Sequence, residues 1–450
     1  MFADFIPNIV KDEDSMAPKV EPVQPSTEFP ARTNVVIIGG GIIGVTAALF
    51  LARSGIPVTL CEKGQIAGEQ SSRNWGWTRV MGRDERELPL GQASLNLWGQ
   101  MNEITGRDTG FRQCGILYAC DNEREMNDFL KWKDIADQYQ IRTEVLDPAQ
   151  TAERSGSQRM FRGGLFCPTD GRAEPTMAAP AIAAAAREQG ATILTHCAVR
   201  GIETRGGRVC AVVTERGTIA CESVILAGGA WSRLFAGNTG IDLPSLQVLG
   251  SVARVDNVEG GPEETVGGSD FAFRRNIQGG YNISRRNASV ADIVPDSFRQ
   301  FTRFIGAYRT GWRELRLHLG RRFLEEMRMP RSWSMDEVSP FEIIRTLDPE
   351  PSHYLLDEAI ATLKRDFPAF RTMREVERWG GMIDVTPDAV PVIGPVDSLP
   401  GFYLATGFSG HGFGIGPGGG RLIADLVSGK APVVDPTPFR FGRFNTDRRL

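Results

Sequence analysis

The sequence predicts an α/β chain in which a parallel-sheet nucleotide-binding domain is interleaved with a smaller α+β domain carrying an antiparallel sheet. Three observations lead there. At 450 residues the chain exceeds what one compact core holds, so two domains are expected. A short β-branched run passes directly into a glycine motif and an apolar helix. Farther on, Phe271 to Arg286 reads as a hairpin with strand-like alternation through Tyr281.

The N-terminal arm, residues 1–32, mixes acids and prolines without a basic-then-apolar leader, so a mobile or surface-draped segment is expected. Val35-Val36-Ile37-Ile38 has the continuous apolar character of a strand buried on both faces. Gly39, Gly41 and Gly44 follow as G-x-G-x-x-G, with Ile42 and Ile43 between the last two. Gly39 permits the tight turn, Gly41 lets backbone approach a pyrophosphate, and Gly44 lets helix and strand pack closely. Val45–Arg53 is expected as a helix closed by Gly55, and 56–61 as the next strand. Glu62, 23 residues beyond Gly39, is placed to accept from ribose hydroxyls and disfavours a 2′-phosphate. Together these form a Rossmann-like unit.

The segment from Lys63 to Gly76 selects the cofactor. An NAD-binding chain would continue into an ordinary helix and strand, whereas this stretch is a polar, glycine-punctuated loop with hydroxyls and Arg73, suited to an extended diphosphate and ribityl chain, as in FAD. It holds no cysteine or histidine, which points to non-covalent binding. Near the C-terminus, Gly407 to Gly420 contains eight glycines and precedes an expected helix at 421–427. Such a run can turn backbone amides and a helix N-terminus toward a flavin carbonyl, stabilising charge arriving on reduction. His411 within it is read as a flavin neighbour or structural hydrogen-bonder rather than a base. Gly407-Phe408-Ser409 hints at a nucleophile elbow, but position 411 is not glycine, so that reading fails.

Other classes recede. The net charge of −4 offers no basic surface for nucleic acid. Seven cysteines without a C-x-x-C pair, and four histidines, indicate neither a disulfide framework nor a metal centre; a cytoplasmic location is expected. The stretch 301–331 resembles an amphipathic helix pair, but Glu314, Glu325 and Glu326 interrupt its basic face, favouring a solvated or subunit-contacting surface, with a homo-oligomer left open, over a membrane-bound one.

Five segments taken in order resemble the D-amino-acid oxidase (DAO, or glutathione-reductase-2) superfamily of FAD-dependent oxidoreductases. They are the Gly39 motif with its loop; Gly164-Leu165 with Asp170 to Pro175; Ser223 to Ser232; Gly380 to Gly394; and Thr406 to Gly414. The likeness runs from Asn34 to about Pro438. Ile66–Arg73, Ser232–Phe235 and Ser339–Glu342 resemble bacterial L-amino acid deaminases and oxidases in particular. The resemblance implies a discontinuous FAD-binding domain (33–118, 160–245, 375–440) and a substrate-binding domain (119–159, 246–374). It implies Glu62 and Lys63 near the ribose, and Ser71, Ser72 and Arg73 at the pyrophosphate or flavin. Val199 would meet the adenine, and Gly228, Gly229 and Trp231 would line the dinucleotide. Gly381, Gly410, His411, Gly412, Phe413 and Gly414 would lie about the flavin.

By the same resemblance Arg286 anchors the substrate carboxylate, with Arg285 the one-residue-slip alternative, Tyr281 beside them, and Phe408 and Trp379 as side-chain pocket walls. The reaction implied is oxidation of an L-amino acid to a 2-oxo acid and ammonia by hydride transfer from Cα to flavin N5. The membrane-bound deaminases carry a hydrophobic N-terminal anchor that this sequence lacks, which favours O2 over another electron acceptor. A D-amino acid dehydrogenase or sarcosine-type oxidase on the same fold is the alternative. An NAD-dependent dehydrogenase and a flavin-binding sensor without turnover are the more distant readings.

Overall fold

The computed structural model describes residues 17–311 and 315–444. Residues 1–16 of the arm and Glu314 lie outside them. The rest of the arm is draped over the surface: Glu21 N donates to Thr176 O (3.1 Å) and Ser26 N to Ile193 O (2.7 Å).

Among the described residues a six-stranded sheet runs in the order Val392–Pro395, Phe402–Thr406, Ser223–Leu226, Val35–Ile38, Val58–Cys61, Thr192–Leu194. Its pairings are parallel except that between the first two strands. Alternation along the central strand explains the two layers. Val35 and Ile37 face a core shared with the helices Ile42–Arg53, Pro175–Glu188 and Gly412–Val427. Val36 faces a second core shared with a three-stranded antiparallel sheet, 199–220.

The second sheet is ten-stranded and mostly antiparallel, as expected for the second domain. The long strands Leu246–Asp256 and Arg374–Val385 pair along its middle, and Ala272–Arg275 pairs with Tyr281–Ser284 as the hairpin predicts. Ile116–Cys120, Gly163–Cys167 and Arg374–Val385, which fall wholly or largely within the FAD-binding boundaries drawn on resemblance, are strands of this sheet.

Two local expectations change. The stretch 301–331 is not a helix pair alone: a helix Phe301–Gly311 and a helix Arg321–Arg328 flank a strand, Leu315–His318, which pairs in parallel with Ser289–Asp292. Glu325 and Glu326 pair with Arg321 and Arg322 one turn away (3.2 and 3.1 Å), but both carboxylates are half-buried, and burial raises the pKa of Glu326, so they do not form the solvated face the sequence suggests. The second change concerns the glycine run. Instead of leading into a helix it is the helix, Gly412–Val427, with Pro417 inside. Glycine is a poor helix former, and close packing is the reason it stands here. A Cβ at Gly416 would lie 2.9 Å from Ile42 Cγ1, one at Gly418 2.8 Å from Leu90 O, and one at Gly420 2.6 Å from Thr46 Cβ. No described helix is long and apolar enough to cross a membrane.

Candidate active site

Two cavities meet where the sheets adjoin. The smaller is a cleft of about 160 Å³ over the glycine motif; the larger is a chamber of about 1520 Å³ walled by the second sheet. Gln70, Asn74, Ile383, Gly410 and Phe413 border both.

The strand Val35–Ile38 delivers the chain to Gly39, whose φ is +112° and where a Cβ would meet Ala227 O at 2.4 Å. A Cβ at Gly41 would meet Ser71 Oγ at 2.9 Å, and one at Gly44 would lie 2.0 Å from Gly39 O. Side chains at these positions would fill the cradle, which is why glycines stand there. Ile42 and Ile43 open the helix, and Ile42 N donates to Ser71 Oγ (2.9 Å), holding the loop over the motif. At the end of the second strand, Glu62 lies in the cleft and accepts from Gly40 N and Gly64 N, both 2.7 Å. Burial raises its pKa above the ordinary carboxylate value, against the lowering by Lys63. Val199, Gly228, Gly229 and Trp231 complete the walls, with Trp231 Nε1 donating to Glu69 (3.0 Å).

Ser72 and Arg73, expected at the pyrophosphate or flavin, point away from the cleft, whereas Lys63, expected near the ribose, lines it with its ammonium already engaged. Lys63 spends its three donors on Glu69 (2.6 Å), Ile344 O (3.0 Å) and Arg345 O (2.9 Å), making it a latch between loops. The short helix Gln70–Arg73 directs Gln70, Ser71 and Asn74 to the cleft and Ser72 and Arg73 away. Ser72 Oγ donates to Glu69 O (3.1 Å). Arg73 pairs with Asp348, donates to Gly380 O (3.0 Å) and borders the chamber. Gly381 lines neither cavity; it makes room for Gln70, whose Oε1 a Cβ there would meet at 2.3 Å.

The helix Gly412–Val427 points its N-terminus at the junction. Gly412 lies on the cleft, His411 and Gly414 on the chamber, Gly410 and Phe413 on both. His411 Nδ1 lies 3.1 Å from the fully buried Glu87 carboxylate. Its side chain keeps 25% exposure, opening onto the chamber it lines. Burial, then the Arg83 charge, pushes its pKa down to about 4, so the imidazole is neutral at physiological pH. Sequence reasoning missed Asp384, which lies in the cleft and accepts from Gly407 N (2.6 Å) and Thr406 Oγ1 (3.0 Å). It also missed Gln70 and Asn74, legible only as an i, i+4 pair once the loop is known to turn helically.

The residues fit FAD. A glycine cradle, the buried Glu62 and a helix N-terminus lie along one cleft, and Gln70, which also lines it, has its Oε1 buried with no hydrogen-bond partner. Glu62 would hold the ribose, the Gly39 to Gly44 turn the diphosphate, and Gln70 and the amides about Gly412 the flavin.

In the chamber, Arg286 lies with its guanidinium carbon 4.0 Å from the centroid of the Tyr118 ring, and Nη1 donates to Gly268 O (3.2 Å). Arg285 also borders the chamber but is drawn toward its own loop: it meets Glu358 (3.3 Å), Ser269 O (2.9 Å) and Arg286 O (3.1 Å). Both follow the end of the strand Tyr281–Ser284, so strand alternation does not set their directions. Tyr281 is a correction. Its hydroxyl donates to Pro262 O (2.9 Å) and its ring packs on Phe273 and Phe370 in the core, away from the chamber. Trp379 and Phe408 do not wall the chamber either. Trp379 is buried, donates to Arg73 O (3.0 Å) and faces a separate cleft under the arm. Phe408 lies on the nucleotide cleft, where its ring would be 3.1 Å from a Cβ at Gly419.

The chain is similar to the solved L-amino acid deaminase from Proteus myxofaciens in complex with anthranilate, at 37% identity and a TM-score of 0.90, covering 96% of this chain and 97% of that one. Glycine oxidase of Pseudomonas aeruginosa is 27% identical over 90% of this chain and 97% of its own length. The 4-methylaminobutanoate oxidase (formaldehyde-forming) of Paenarthrobacter nicotinovorans is 25% identical over 93% of this chain, which spans 46% of that protein. Several further curated relatives are likewise spanned over less than half of their length. The model of the DAO family, described as FAD dependent oxidoreductase, matches residues 34–426. The chain belongs to the DAO family of FAD-dependent oxidoreductases.

Proposed function

We propose that the chain oxidises the Cα–N bond of L-amino acids, giving an imino acid that water hydrolyses to a 2-oxo acid and ammonia, with dioxygen as final acceptor. The observation that carries the reading is the Arg286 guanidinium on the wall of a chamber that opens into the nucleotide cleft. Bound FAD supplies the two-electron acceptor for the hydride leaving Cα. Arg286 offers a planar fork matched to the substrate carboxylate, and fixing that group fixes which face of Cα is presented. The amine must shed its extra proton so that its lone pair can form the C=N bond. The positive field of the chamber's arginines favours that loss, because it destabilises an ammonium. His411 is held neutral against Glu87 on the wall of the same chamber. The likeness to the Proteus deaminase supports an L-amino acid over glycine or a secondary amine.

Anaerobic mixing of the yellow protein with paired enantiomers tests the reading. L-amino acids are expected to bleach the flavin and yield 2-oxo acid, with peroxide on admitting air. Bleaching by D-amino acids or sarcosine alone would overturn it in favour of the rival chemistry.

A further inference from the structure

Six arginines and two aspartates line the chamber among its described residues: Arg73, Arg79, Arg83, Arg285, Arg286 and Arg309 against Asp128 and Asp292. Most of these cations have partners. Arg73 has Asp348, and Arg285 has Glu358 and two carbonyls. Arg79 donates to Met81 O and lies 5.6 Å from the Tyr118 centroid, the same ring that Arg286 covers. Arg83 differs. It is 4% exposed, yet its Nη1 has no hydrogen-bond partner, and its Nε reaches only Arg79 O at 3.5 Å.

Two carboxylates act on Arg83 through space, and both are engaged elsewhere. Glu87 takes His411, and Asp170 accepts from Val80 N (2.9 Å) and Met81 N (3.1 Å). The backbone of Arg83 is held in turn, its carbonyl accepting from Trp132 Nε1 (3.0 Å). Burial, with Arg79 adding to it, pushes the Arg83 pKa down to about 9, the mark of a guanidinium lacking its counter-charge. A buried cation left unpaired is costly to the fold, and such groups concentrate at binding sites.

We propose that Arg83 receives a second carboxylate, so that the substrate class is the acidic L-amino acids: the α-carboxylate on Arg286 and the side-chain carboxylate on Arg83. The inference rests on the L-amino acid reading above. Both arginines line one chamber, with Tyr118 beside Arg286 and among the groups that act on Arg83. An acidic side chain recovers the hydrogen bonds and charge that Arg83 lacks. A neutral amide of the same shape recovers a hydrogen bond but no charge, and an aliphatic side chain recovers neither. Charge-assisted pairing of this kind discriminates by roughly 10- to 100-fold.

The test uses the FAD-loaded full chain, measuring kcat/KM for L-glutamate, L-glutamine and L-leucine with wild type, Arg83→Gln and Arg83→Lys. Glutamate is expected to exceed glutamine by at least tenfold in wild type, the ratio to collapse toward one in Arg83→Gln, and Arg83→Lys to restore part of it. On wild type alone, glutarate is expected to compete at least tenfold more tightly than butyrate, which decides the matter should Arg83→Gln fail to hold flavin. Equal use of glutamate and glutamine, a ratio untouched by Arg83→Gln, or equal inhibition by the two acids overturns the proposal. If leucine is oxidised and glutamate is not, only the second-carboxylate site falls. If no L-amino acid bleaches the flavin, the parent reading falls with it.

Discussion

Replacing Glu174 with glutamine removes one charge from an ion pair that ties the second sheet to the helical layer of the first. Glu174 precedes the helix Pro175–Glu188, and Arg274 lies in the strand Ala272–Arg275. The pair is bidentate, Nη1 to Oε1 at 2.7 Å and Nη2 to Oε2 at 2.9 Å, and Oε1 also accepts from Ile277 N at 2.8 Å. The two side chains are 0% and 4% exposed, so solvent screens neither charge. Glutamine keeps the shape but turns an amide NH2 toward the guanidinium and strands its charge. Breaking a buried pair in this way costs about 3–5 kcal/mol. With an unfolding entropy of about 2.1 cal/mol/K per residue, the whole chain unfolds with about 0.9 kcal/mol/K, and the melting temperature falls by about 3–5 °C. Thermal unfolding of the FAD-loaded protein reads this directly. A double variant, Glu174→Leu with Arg274→Met, is expected to recover most of the loss, since an apolar pair of similar volume leaves no stranded charge. A Glu174→Gln protein melting within about 1 °C of wild type would refute the reasoning.

Arg286→Ala should lower kcat/KM by roughly 10²- to 10⁴-fold, the worth of two charge-assisted hydrogen bonds, while flavin content stays at wild-type level; near-normal kinetics would remove Arg286 from the anchoring role. Gly420→Ala would set a Cβ 2.6 Å from Thr46 Cβ and 2.9 Å from the backbone of Ala47. It is expected to cost about 1–3 kcal/mol or more in urea unfolding, because two helices must part; an unchanged midpoint would show that the helices yield freely. His411, with its folded pKa of about 4, below the unfolded value, contributes stability that is intact above about pH 6.5 and lost as pH falls toward 4. Its ring resonances should therefore stay unshifted from pH 7.5 to about 5.5, and a midpoint near 6.5 would contradict the burial argument.

The glycine turn and the acid beyond it were legible in the sequence because their demands are local. A strand buried on both faces, three glycines where a Cβ would strike backbone or Ser71, and an acid at the end of the next strand are written into about thirty consecutive positions. The placement of Glu62, Ser71 and Gly412 in the cleft follows from that stretch and from the C-terminal glycines. What the tertiary structure alone decided depends on who approaches from afar. The run from Gly412 to Gly420 reads as loop by propensity and folds as helix because Ile42, Thr46 and Leu90 pack against it without room for side chains. Tyr281 and Arg286, five residues apart, part company because one lies within the paired strand and faces an aromatic core, whereas the other has left the strand and turns onto Tyr118. Lys63 and Arg73 look like cofactor ligands along the chain, but Glu69 and Asp348 take their charges. Backbone conformation is specified by neighbours in sequence, and a side chain's partner by neighbours in space; only the first kind of neighbour can be read along the chain.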